Sequence, residues 1–324
     1  MAHLMDTSSL LHWMPYNLIE TDNDILVEWI YFADIRMLEP FFEETILKTR
    51  SHLYNSKGFK IVTSLQTFLD WSEHIKTTAL LGFIYHVSRC GSTLLCQLFS
   101  LSQKNIVVSE APILDQILQS KVLDVEIKKK TFVAALNFLG QKRFPDEQHL
   151  IVKLDSWHLF YADLIREICP SLPFIFLYRS PEEVIKSHHK MRGMQMVPNL
   201  VLPEKFGVCV DDLEKMTFDD YTAMVLEKYF DQMDAYSGTD KNVFLCNYAQ
   251  GIKFLFLEIS EKIDLKIESR VTSKLQERLS RYSKNSNITF TGDQDASLTF
   301  LSSFNPLEKY NRLEDKRRSM YPLE

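Results

Sequence analysis

Short apolar runs of strand length alternate with amphipathic segments of helix length from about residue 80 onward. The apolar runs hold β-branched and aromatic residues without polar alternation, which is typical of strands that are buried on both faces of a sheet. Strands that alternate with helices indicate βαβ units and a parallel sheet. The predicted strands span residues 81–87, 105–110, 149–154, 172–178 and 242–248.

Helical periodicity fills most of the chain between and after these strands. It predicts a three-layer α/β/α fold in which a central parallel sheet is covered by helices on both faces. In such sheets ligands bind at the carboxyl ends of the strands. The predicted helices span residues 92–102, 112–120, 126–140, 158–168, 181–192, 213–235, 251–263 and 270–283.

The first 78 residues follow a different pattern, with short apolar runs separated by acidic residues. It predicts a strand at 25–32 and helices at 39–50 and about 65–75. We interpret residues 1–78 as an N-terminal extension or cap, and residues 79–324 as the main α/β domain. Residues 193–225 hold Pro, Gly and Met between two predicted helices. This composition is typical of a mobile lid that covers a binding site.

Composition narrows the class of protein. The 324 residues are 45% hydrophobic and 25% charged, as in globular proteins that bury a full core. The formal net charge of −6 speaks against a general nucleic-acid binder, which usually carries a basic face. Five scattered cysteines without a CxxC pair favour reduced thiols in a cytoplasmic protein and no structural metal.

The same composition gives no sign of a membrane partner. The longest apolar stretch, residues 79–87, is too short to span a bilayer. The N-terminus lacks a basic segment followed by an apolar core and a cleavage site, so no signal peptide is expected. We therefore expect a soluble protein, and the oligomeric state is left open.

A candidate anion site follows the first strand of the predicted sheet. A strand, a tight glycine turn and a helix start bring free backbone N–H groups together, and the helix dipole adds positive potential. Arg89 offers a planar bidentate cation, Gly91 allows a close approach of the backbone, and the two hydroxyl residues after it can cap the helix. The segment consists of Ser88, Arg89, Cys90, Gly91, Ser92 and Thr93.

This loop is not a Walker A motif. That motif requires GxxxxGK[ST], whereas here the first glycine is missing and Ser92 stands in place of the lysine. An ATP-dependent phosphotransferase normally needs that lysine and a hydroxyl on magnesium. A plain helix N-cap beside a surface arginine remains an alternative.

A second candidate segment follows the strand at 172–178. Arg179 directly follows this strand, and Ser180 and Pro181 suit the start of a helix. Ser187 lies eight residues after Arg179, about two helical turns on. Ser187 can therefore reach back toward a ligand at the strand end. The alternatives are a capping or ion-pairing role for Arg179 and a neutral helix surface position for Ser187.

Together the two segments resemble the sulfotransferase family of P-loop proteins. In that family a 5′-phosphosulfate loop of the form [KR]-x-G-[ST]-[ST] follows the first strand, and an Arg with a Ser eight residues on binds the 3′-phosphate. The form SRCGSTLL is more similar to tyrosylprotein sulfotransferases and bacterial relatives than to the lysine-bearing cytosolic enzymes. The resemblance spans roughly residues 80–250. It implies 3′-phosphoadenosine-5′-phosphosulfate (PAPS) as donor, 3′-phosphoadenosine 5′-phosphate (PAP) as product, and no metal.

Three residues are candidates for the chemistry that the resemblance implies. Arg89 is the candidate cation for the leaving group, because charge builds on the leaving phosphate during in-line transfer. Glu110 lies at the carboxyl end of the strand at 105–110, and a glutamate at a matching place is the general base of the tyrosylprotein enzymes. Lys153 resembles a family lysine that contacts the transferring sulfonate. Alternatively, Glu110 caps a helix or pairs with Arg89, and Lys153 pairs with Asp155.

The C-terminal region departs from the family pattern. Relatives use a basic, glycine-containing loop there to bind the 3′-phosphate, whereas this chain offers Arg317 and Arg318 without the glycine-rich form. These two arginines are candidate cofactor ligands, or else part of a solvated tail. Tyr248 is interpreted as packing, and His86 as a satisfied buried histidine.

The predicted activity is transfer of a sulfuryl group to a hydroxyl or amine of a small polar metabolite. The net charge of −6 and the acids of residues 193–225 favour a cationic acceptor over an anionic polysaccharide. The N-terminal extension and residues 193–225 are expected to form the acceptor pocket. A P-loop phosphotransferase that uses ATP and a catalytically silent nucleotide-binding protein are the alternatives.

Overall fold

A computed structural model of the chain describes residues 10–22, 24–56, 58, 60–201, 206–207, 213, 216–279, 281–282, 285–289 and 304–320. The strands form two main sheets and one short pair. Strands β1 (Trp13–Glu20), β2 (Ile25–Tyr31) and β3 (Ile61–Ser64) form an antiparallel sheet, and β9 (Arg281–Tyr282) pairs with β10 (Asn285–Thr289). The central sheet is parallel, with the order β5-β6-β4-β7-β8. It consists of β4 (Ala79–His86), β5 (Asn105–Ser109), β6 (His149–Lys153), β7 (Phe174–Tyr178) and β8 (Val243–Asn247).

Helices connect and cover the strands, and short 3-10 turns occupy Ser156–Tyr161, Met194–Met196 and Tyr248–Gln250. The α/β class with a central parallel sheet, predicted from the sequence, is confirmed. The helices are α1 (Phe42–Thr49), α2 (Leu53–Ser56), α3 (Leu65–Ser72), α4 (Ser92–Phe99), α5 (Pro112–Gln119), α6 (Val125–Leu139), α7 (Ala162–Ile168), α8 (Pro181–Lys190), α9 (Phe218–Ser237), α10 (Ile252–Lys262), α11 (Ser269–Leu279) and α12 (Pro306–Met320).

The five predicted strands all form, because their apolar runs are buried on both sides of the sheet. Every residue of β5 and β7 is buried, and β4 is buried from Gly82 to its end. The observed strands begin and end within two residues of the predicted bounds. β4 lies at the centre of the sheet, with β6 on one side and β7 on the other, so the loop after β4 sits where chain connections diverge to the two sides.

The N-terminal region packs on helices α5 and α6 of the main domain through its first strand. The predicted strand at 25–32 and helices at 39–50 and 65–75 are present as β2, α1 and α3. The sequence missed β1, whose pattern Pro15 interrupts, and the four-residue β3. Backbone N–H of Leu18 donates to Gln116 Oε1 on α5 at 2.7 Å. Whether residues 1–78 form a separate unit stays a prediction.

The predicted lid is described only in part. Residues 202–205, 208–212 and 214–215 lie outside the described residues, and α9 begins at Phe218 rather than at the predicted residue 213. The mobility of the lid stays a prediction.

Among the helices that the structure describes, none combines the length and apolar character needed to cross a membrane.

Candidate functional site

One cavity lies at the carboxyl ends of the parallel strands, where the fold predicts a ligand. Its volume is about 400 Å³. Each strand of the central sheet is followed by a residue that lines it: Arg89 after β4, Glu110 after β5, Asp155 after β6, Arg179 after β7 and Tyr248 after β8. The cavity therefore joins both predicted anion-binding segments and the predicted base in one site.

The loop after β4 has an unusual backbone. Ser88 and Arg89 adopt positive φ angles of 69° and 52°, and Gly91 has a φ of 83°. Such angles are costly for residues with a side chain, and they cluster at functional sites. Gly91, not Ser92, is the N-cap of α4, and α4 has no side-chain cap. The expectation that Ser92 and Thr93 cap the helix was therefore wrong, and both residues line the cavity.

Gly91 lies against the aromatic ring of Tyr248. A Cβ added at Gly91 would lie 2.4 Å from Tyr248 Cε2, so the close contact requires glycine. Arg179 also contacts Tyr248, with its guanidinium carbon 4.8 Å from the ring centroid. Tyr248 does pack, as predicted, but it also lines the cavity and joins the two anion-binding segments.

Two arginines from the two segments converge at the cavity. Arg89 Nε donates to Ser187 Oγ at 2.8 Å, and Arg179 Nη1 donates to the Arg89 carbonyl at 3.3 Å. Ser187 is on α8, so the helix that follows the second segment holds the guanidinium of the first. The predicted joint placement of Arg89, Arg179 and Ser187 is present.

Arg179 also makes the ion pair that was left open as its alternative role. Its Nη2 lies 2.7 Å from Glu183 Oε1, one helical turn into α8. The Glu183 side chain is 49% exposed, so this pair is weak and a stronger anion can compete for the guanidinium. The ion pair and a ligand-binding role are thus compatible. Pro181 opens α8 as predicted.

Glu110 and Lys153 form an ion pair at the ends of β5 and β6, and the carboxylate side chain is 23% exposed. Lys153 Nζ lies 2.8 Å from Glu110 Oε1 and 3.4 Å from Thr93 Oγ1. The Lys153 side chain is fully buried and is not among the described residues that line the cavity. The partner of Lys153 is therefore Glu110, and the alternatives that paired Lys153 with Asp155 or Glu110 with Arg89 were wrong.

His86 completes this cluster on the other side of the carboxylate. His86 Nδ1 accepts a hydrogen bond from the Ser88 backbone N–H at 3.0 Å, which leaves the proton of a neutral imidazole on Nε2. Nε2 lies 3.2 Å from Glu110 Oε1. His86 is buried as the sequence predicted, but only its Nδ1 is satisfied by a hydrogen bond, while Nε2 makes a close contact with the Glu110 carboxylate.

The charges of this cluster stabilise one another. Burial raises the pKa of Glu110, but the Lys153 ammonium and the His86 hydrogen bond outweigh burial, so the pKa lies well below its usual range. Burial lowers the pKa of Lys153, but Glu110 together with Cys96 and Asp155 more than offsets burial, so the pKa lies above its usual value. Burial lowers the pKa of His86 despite Glu110. At neutral pH the cluster therefore holds a carboxylate, an ammonium and a neutral imidazole.

Asp155 is a second acid in the cavity wall, and the sequence named it only as a partner for Lys153. Its pKa is raised to about 7, mainly by burial and further by the nearby carboxylates of Glu110 and Asp115, while His158 and Lys153 lower it. Its nearest ion-pairing atom is His158 Nε2, at 3.7 Å. Asp155 is thus far less tightly held than Glu110.

Three predicted cofactor ligands are not brought to the cavity by their side chains. The Cys90 thiol is fully buried with Sγ 3.4 Å from the Leu177 carbonyl, and burial raises its pKa to about 11. Arg317 makes a bidentate salt bridge with Glu314 on α12, with 2.9 Å from Nε to Oε1 and 3.1 Å from Nη2 to Oε2. Arg318 lies 3.7 Å from the same carboxylate. Neither arginine is among the described residues that line the cavity.

The rest of the wall is mainly apolar and comes from outside the sheet. The N-terminal extension contributes Phe41, whose ring centroid lies 4.7 Å from Lys153 Nζ, and the 3-10 turn after β6 contributes Trp157. The segment after α8 contributes Met191, Gly193, Met194 and Gln195. Both regions predicted to form an acceptor pocket, the N-terminal extension and residues 193–225, therefore reach the cavity.

Comparison with known proteins gives a likeness to solved structures alone. No family model matches the chain, and neither does any curated protein. Sulfotransferase STF9 from Mycobacterium avium is 10% identical with a TM-score of 0.46, covering 80% of this chain and 82% of that one. Sulfotransferase STF1 from Mycobacterium tuberculosis H37Rv is 9% identical with a TM-score of 0.44, covering 65% and 75%. Mouse sulfotransferase SULT7A1, complexed with PAP, is 13% identical with a TM-score of 0.36, covering 67% and 71%. The solved structures that this chain is similar to are thus sulfotransferases, at low identity.

Proposed function

We propose that this protein is a sulfotransferase that moves a sulfuryl group from PAPS to a hydroxyl or amine of a small polar metabolite. The observation that carries the proposal is the convergence of Arg89 and Arg179 on one cavity, linked by the 3.3 Å hydrogen bond and by the contact of Arg89 with Ser187. PAPS carries anionic groups at two ends of its ribose, and two separate cationic anchors fit such a molecule.

The loop after β4 suits the 5′-phosphosulfate. The first backbone N–H groups of α4 have no intrahelical partners, so they can donate to an anion. Ser92 and Thr93 add hydroxyl donors, because Gly91 has taken the capping position. Arg89 supplies the positive charge for the leaving phosphate. Arg179 and Ser187 would then receive the 3′-phosphate, and Glu183 would give way to it.

The buried pair of Glu110 and Lys153 would orient the reacting groups. Glu110 reaches the cavity wall, while Lys153 stays behind it and contacts Thr93. A direct contact of Lys153 with the transferring sulfonate, as the family resemblance implies, requires the ammonium to move past Thr93. Glu110 as general base stays a prediction, and it must release its hydrogen bond from His86 or its ion pair to accept a proton.

A small acceptor fits the size of the cavity. A volume of about 400 Å³ must hold the reactive end of the donor as well as the acceptor. Two carboxylates, Glu110 and Asp155, face a wall that is otherwise apolar on the side of Phe41, Trp157 and Met194. The lining cations Arg89, Arg179 and Lys190 suit the anionic donor, which leaves the two acids to favour a cationic acceptor. An anionic polymer would meet these acids. Equal turnover of sulfatable polysaccharides and of small alcohols or amines would contradict this choice of acceptor.

Calorimetric titration with PAP tests the donor directly. We expect micromolar binding of PAP and little binding of ATP with magnesium, with the same PAP affinity in the presence of a chelator. Binding of ATP with magnesium alone would discard the sulfotransferase proposal in favour of a P-loop phosphotransferase. Binding of PAP without turnover of any acceptor would favour a silent nucleotide-binding protein.

A further inference from the structure

Two carboxylates line the cavity, and their surroundings differ sharply. Glu110 Oε1 lies 2.8 Å from a fully buried ammonium and 3.2 Å from an imidazole nitrogen. Asp155 follows the neighbouring strand β6, with its nearest ion-pairing nitrogen 3.7 Å away. The Asp155 side chain is 12% exposed, and that exposed part faces the cavity.

We propose that Asp155, rather than Glu110, accepts the proton of the acceptor hydroxyl or amine. Asp155 opens into the cavity without a close cation, whereas Glu110 is held by Lys153 and His86. The proposal rests on the proposed function, since it assigns a catalytic residue to that reaction. Glu110 then acts as a positioning residue, which keeps Lys153 charged and directed at Thr93.

The orientation of Asp155 is fixed by its own backbone and by His158. The Asp155 backbone N–H donates to His158 Nδ1 at 3.2 Å, so the imidazole carries its proton on Nε2. That N–H is directed at Asp115 Oδ1, 2.8 Å away, which also accepts from Trp157 Nε1 at 2.6 Å. Because Asp115 takes the Nε2 proton, His158 leaves the Asp155 carboxylate available to a ligand.

The protonation behaviour of the two acids agrees with these roles. An efficient general base has a pKa near the working pH. The pKa of Asp155 is raised to about 7 by burial and neighbouring acids, whereas that of Glu110 lies far below the neutral range. The charged or titratable groups that face Asp155 are His158 on its own 3-10 turn, Asp115 on α5, Glu110 after β5, Lys153 on β6 and Tyr229 on α9.

The transfer step balances with Asp155 as the proton acceptor. The acceptor oxygen or nitrogen forms a bond to sulfur with its lone pair, and its proton moves to the Asp155 carboxylate. The bond between sulfur and the bridging phosphate oxygen breaks, and that oxygen keeps the electron pair as part of PAP. Arg89 stabilises the charge that builds there. Asp155 then releases its proton to solvent.

Carbon-13 NMR of protein labelled at the aspartate carboxyl carbons tests the proposal without any acceptor. We expect one aspartate signal that titrates near neutral pH and that is absent in Asp155→Asn. In Glu110→Gln the same signal should remain, but its titration midpoint should shift to lower pH, because a neighbouring negative charge is gone. Asparagine also caps helices well, so the Asp155→Asn variant should fold. If no aspartate signal that titrates above about pH 6 is lost in Asp155→Asn, the proposal is overturned.

The pH profile of sulfuryl transfer gives a second, independent test. PAPS is offered with a panel of phenols, alcohols and amines, and PAP formation is followed. In the wild type kcat should fall as the pH drops through about 7, whereas Asp155→Asn should lower kcat by about 10²- to 10⁴-fold and flatten this acidic limb. Glu110→Gln should lower kcat but keep the limb.

The outcomes separate this proposal from the proposed function. If Asp155→Asn keeps the rate within a few-fold, or if the acidic limb disappears in Glu110→Gln and not in Asp155→Asn, Glu110 is the base and Asp155 is not. If the panel contains no acceptor, the NMR titration decides. Failure of PAP to bind would remove the proposed function, while the NMR titration would still report whether Asp155 can take up a proton near neutral pH.

Discussion

Glu110 and Lys153 meet at the ends of two adjacent parallel strands, with 2.8 Å between Oε1 and Nζ. The strands β5 and β6 pair Ser109 with Lys153, and the Glu110 backbone N–H donates to the Lys153 carbonyl at 2.9 Å. The main-chain pairing therefore places both side chains on the same side of the cavity floor. The ammonium is fully buried and the carboxylate side chain is 23% exposed, so the ammonium depends on Glu110 for its compensation.

Replacing Lys153 by methionine should destabilise the protein strongly. The substitution keeps the length of the side chain but leaves the Glu110 carboxylate without its buried cation. Removing one partner of a buried ion pair typically lowers the free energy of unfolding by about 3–5 kcal/mol. Denaturant unfolding at pH 7 would measure this loss.

The double variant Lys153→Met with Glu110→Gln is the matched control for that measurement. The double variant has neither charge, so no isolated charge is left beside the cavity. Its free energy of unfolding should therefore recover a large part of what the single variant loses. A single variant that loses less than about 1 kcal/mol would show that Glu110 is solvated and that the pair is not buried in solution.

Replacing Arg179 by alanine should weaken PAP binding about 10- to 100-fold, as expected for the loss of charge-assisted hydrogen bonds to a phosphate. The matched control is Arg317→Ala. Arg317 is another arginine that pairs with a glutamate, but its partner is Glu314 on α12 and the described cavity wall does not include it. Calorimetric titration of both variants with PAP makes the comparison.

Arg317→Ala is therefore expected to bind PAP as the wild type does. If Arg317→Ala or Arg318→Ala weakens PAP binding as much as Arg179→Ala, the C-terminal arginines contact the cofactor after all. The original interpretation from the sequence would then be right, and the end of α12 would have to rearrange on binding.

Replacing Gly91 by alanine should abolish tight PAP binding. The new methyl group would lie 2.4 Å from the Tyr248 ring, and a φ of 83° is strained for alanine. Either the loop or Tyr248 must then move, and both line the cavity. PAP affinity by calorimetry and the melting temperature together measure the effect.

Gly58→Ala separates the strain of the backbone from the contact with Tyr248. Gly58 also has a positive φ, of 72°, but an added Cβ would meet nothing within 4 Å. It should lower the melting temperature modestly and leave PAP affinity unchanged. Wild-type PAP binding by Gly91→Ala would mean that the loop after β4 does not hold the nucleotide.

The fold and the position of the site could be predicted because both depend on local pattern. Apolar runs of strand length identify the five parallel strands, and the carboxyl ends of parallel strands meet at one edge of the sheet. Glu110 ends such a run, Arg179 follows one directly, and Arg89 lies two residues after the run at 81–87. Their convergence on one cavity therefore follows from strand position alone.

The partners of these residues could not be predicted, because they depend on which strands are neighbours. Asp155 is two residues from Lys153 in the sequence, which suggested a pair, but the register of β5 on β6 brings Glu110 to Lys153 instead. The contact of Tyr248 with Gly91 likewise depends on how β8 and β4 lie in the sheet. A local signal was available for Arg317, since Glu314 precedes it by three residues on a helix.

The stability of the protein should depend on pH through Asp155. Its folded pKa of about 7 lies above the value near 3.9 of an unfolded aspartate, so the folded state binds the extra proton between these values. The stability that this proton provides is fully present below about pH 4 and is lost progressively as the pH rises to about 7. Asp155→Asn removes this loss, so it should stabilise the protein by up to about 4 kcal/mol at pH 8 but by only about 1.5 kcal/mol at pH 5.

Denaturant unfolding at both pH values measures the difference, and the exposed Asp22→Asn should show none. An equal effect of Asp155→Asn at both pH values would mean that the carboxyl is already ionised at pH 5 in the folded protein, and Asp155 would then be no better a proton acceptor than Glu110.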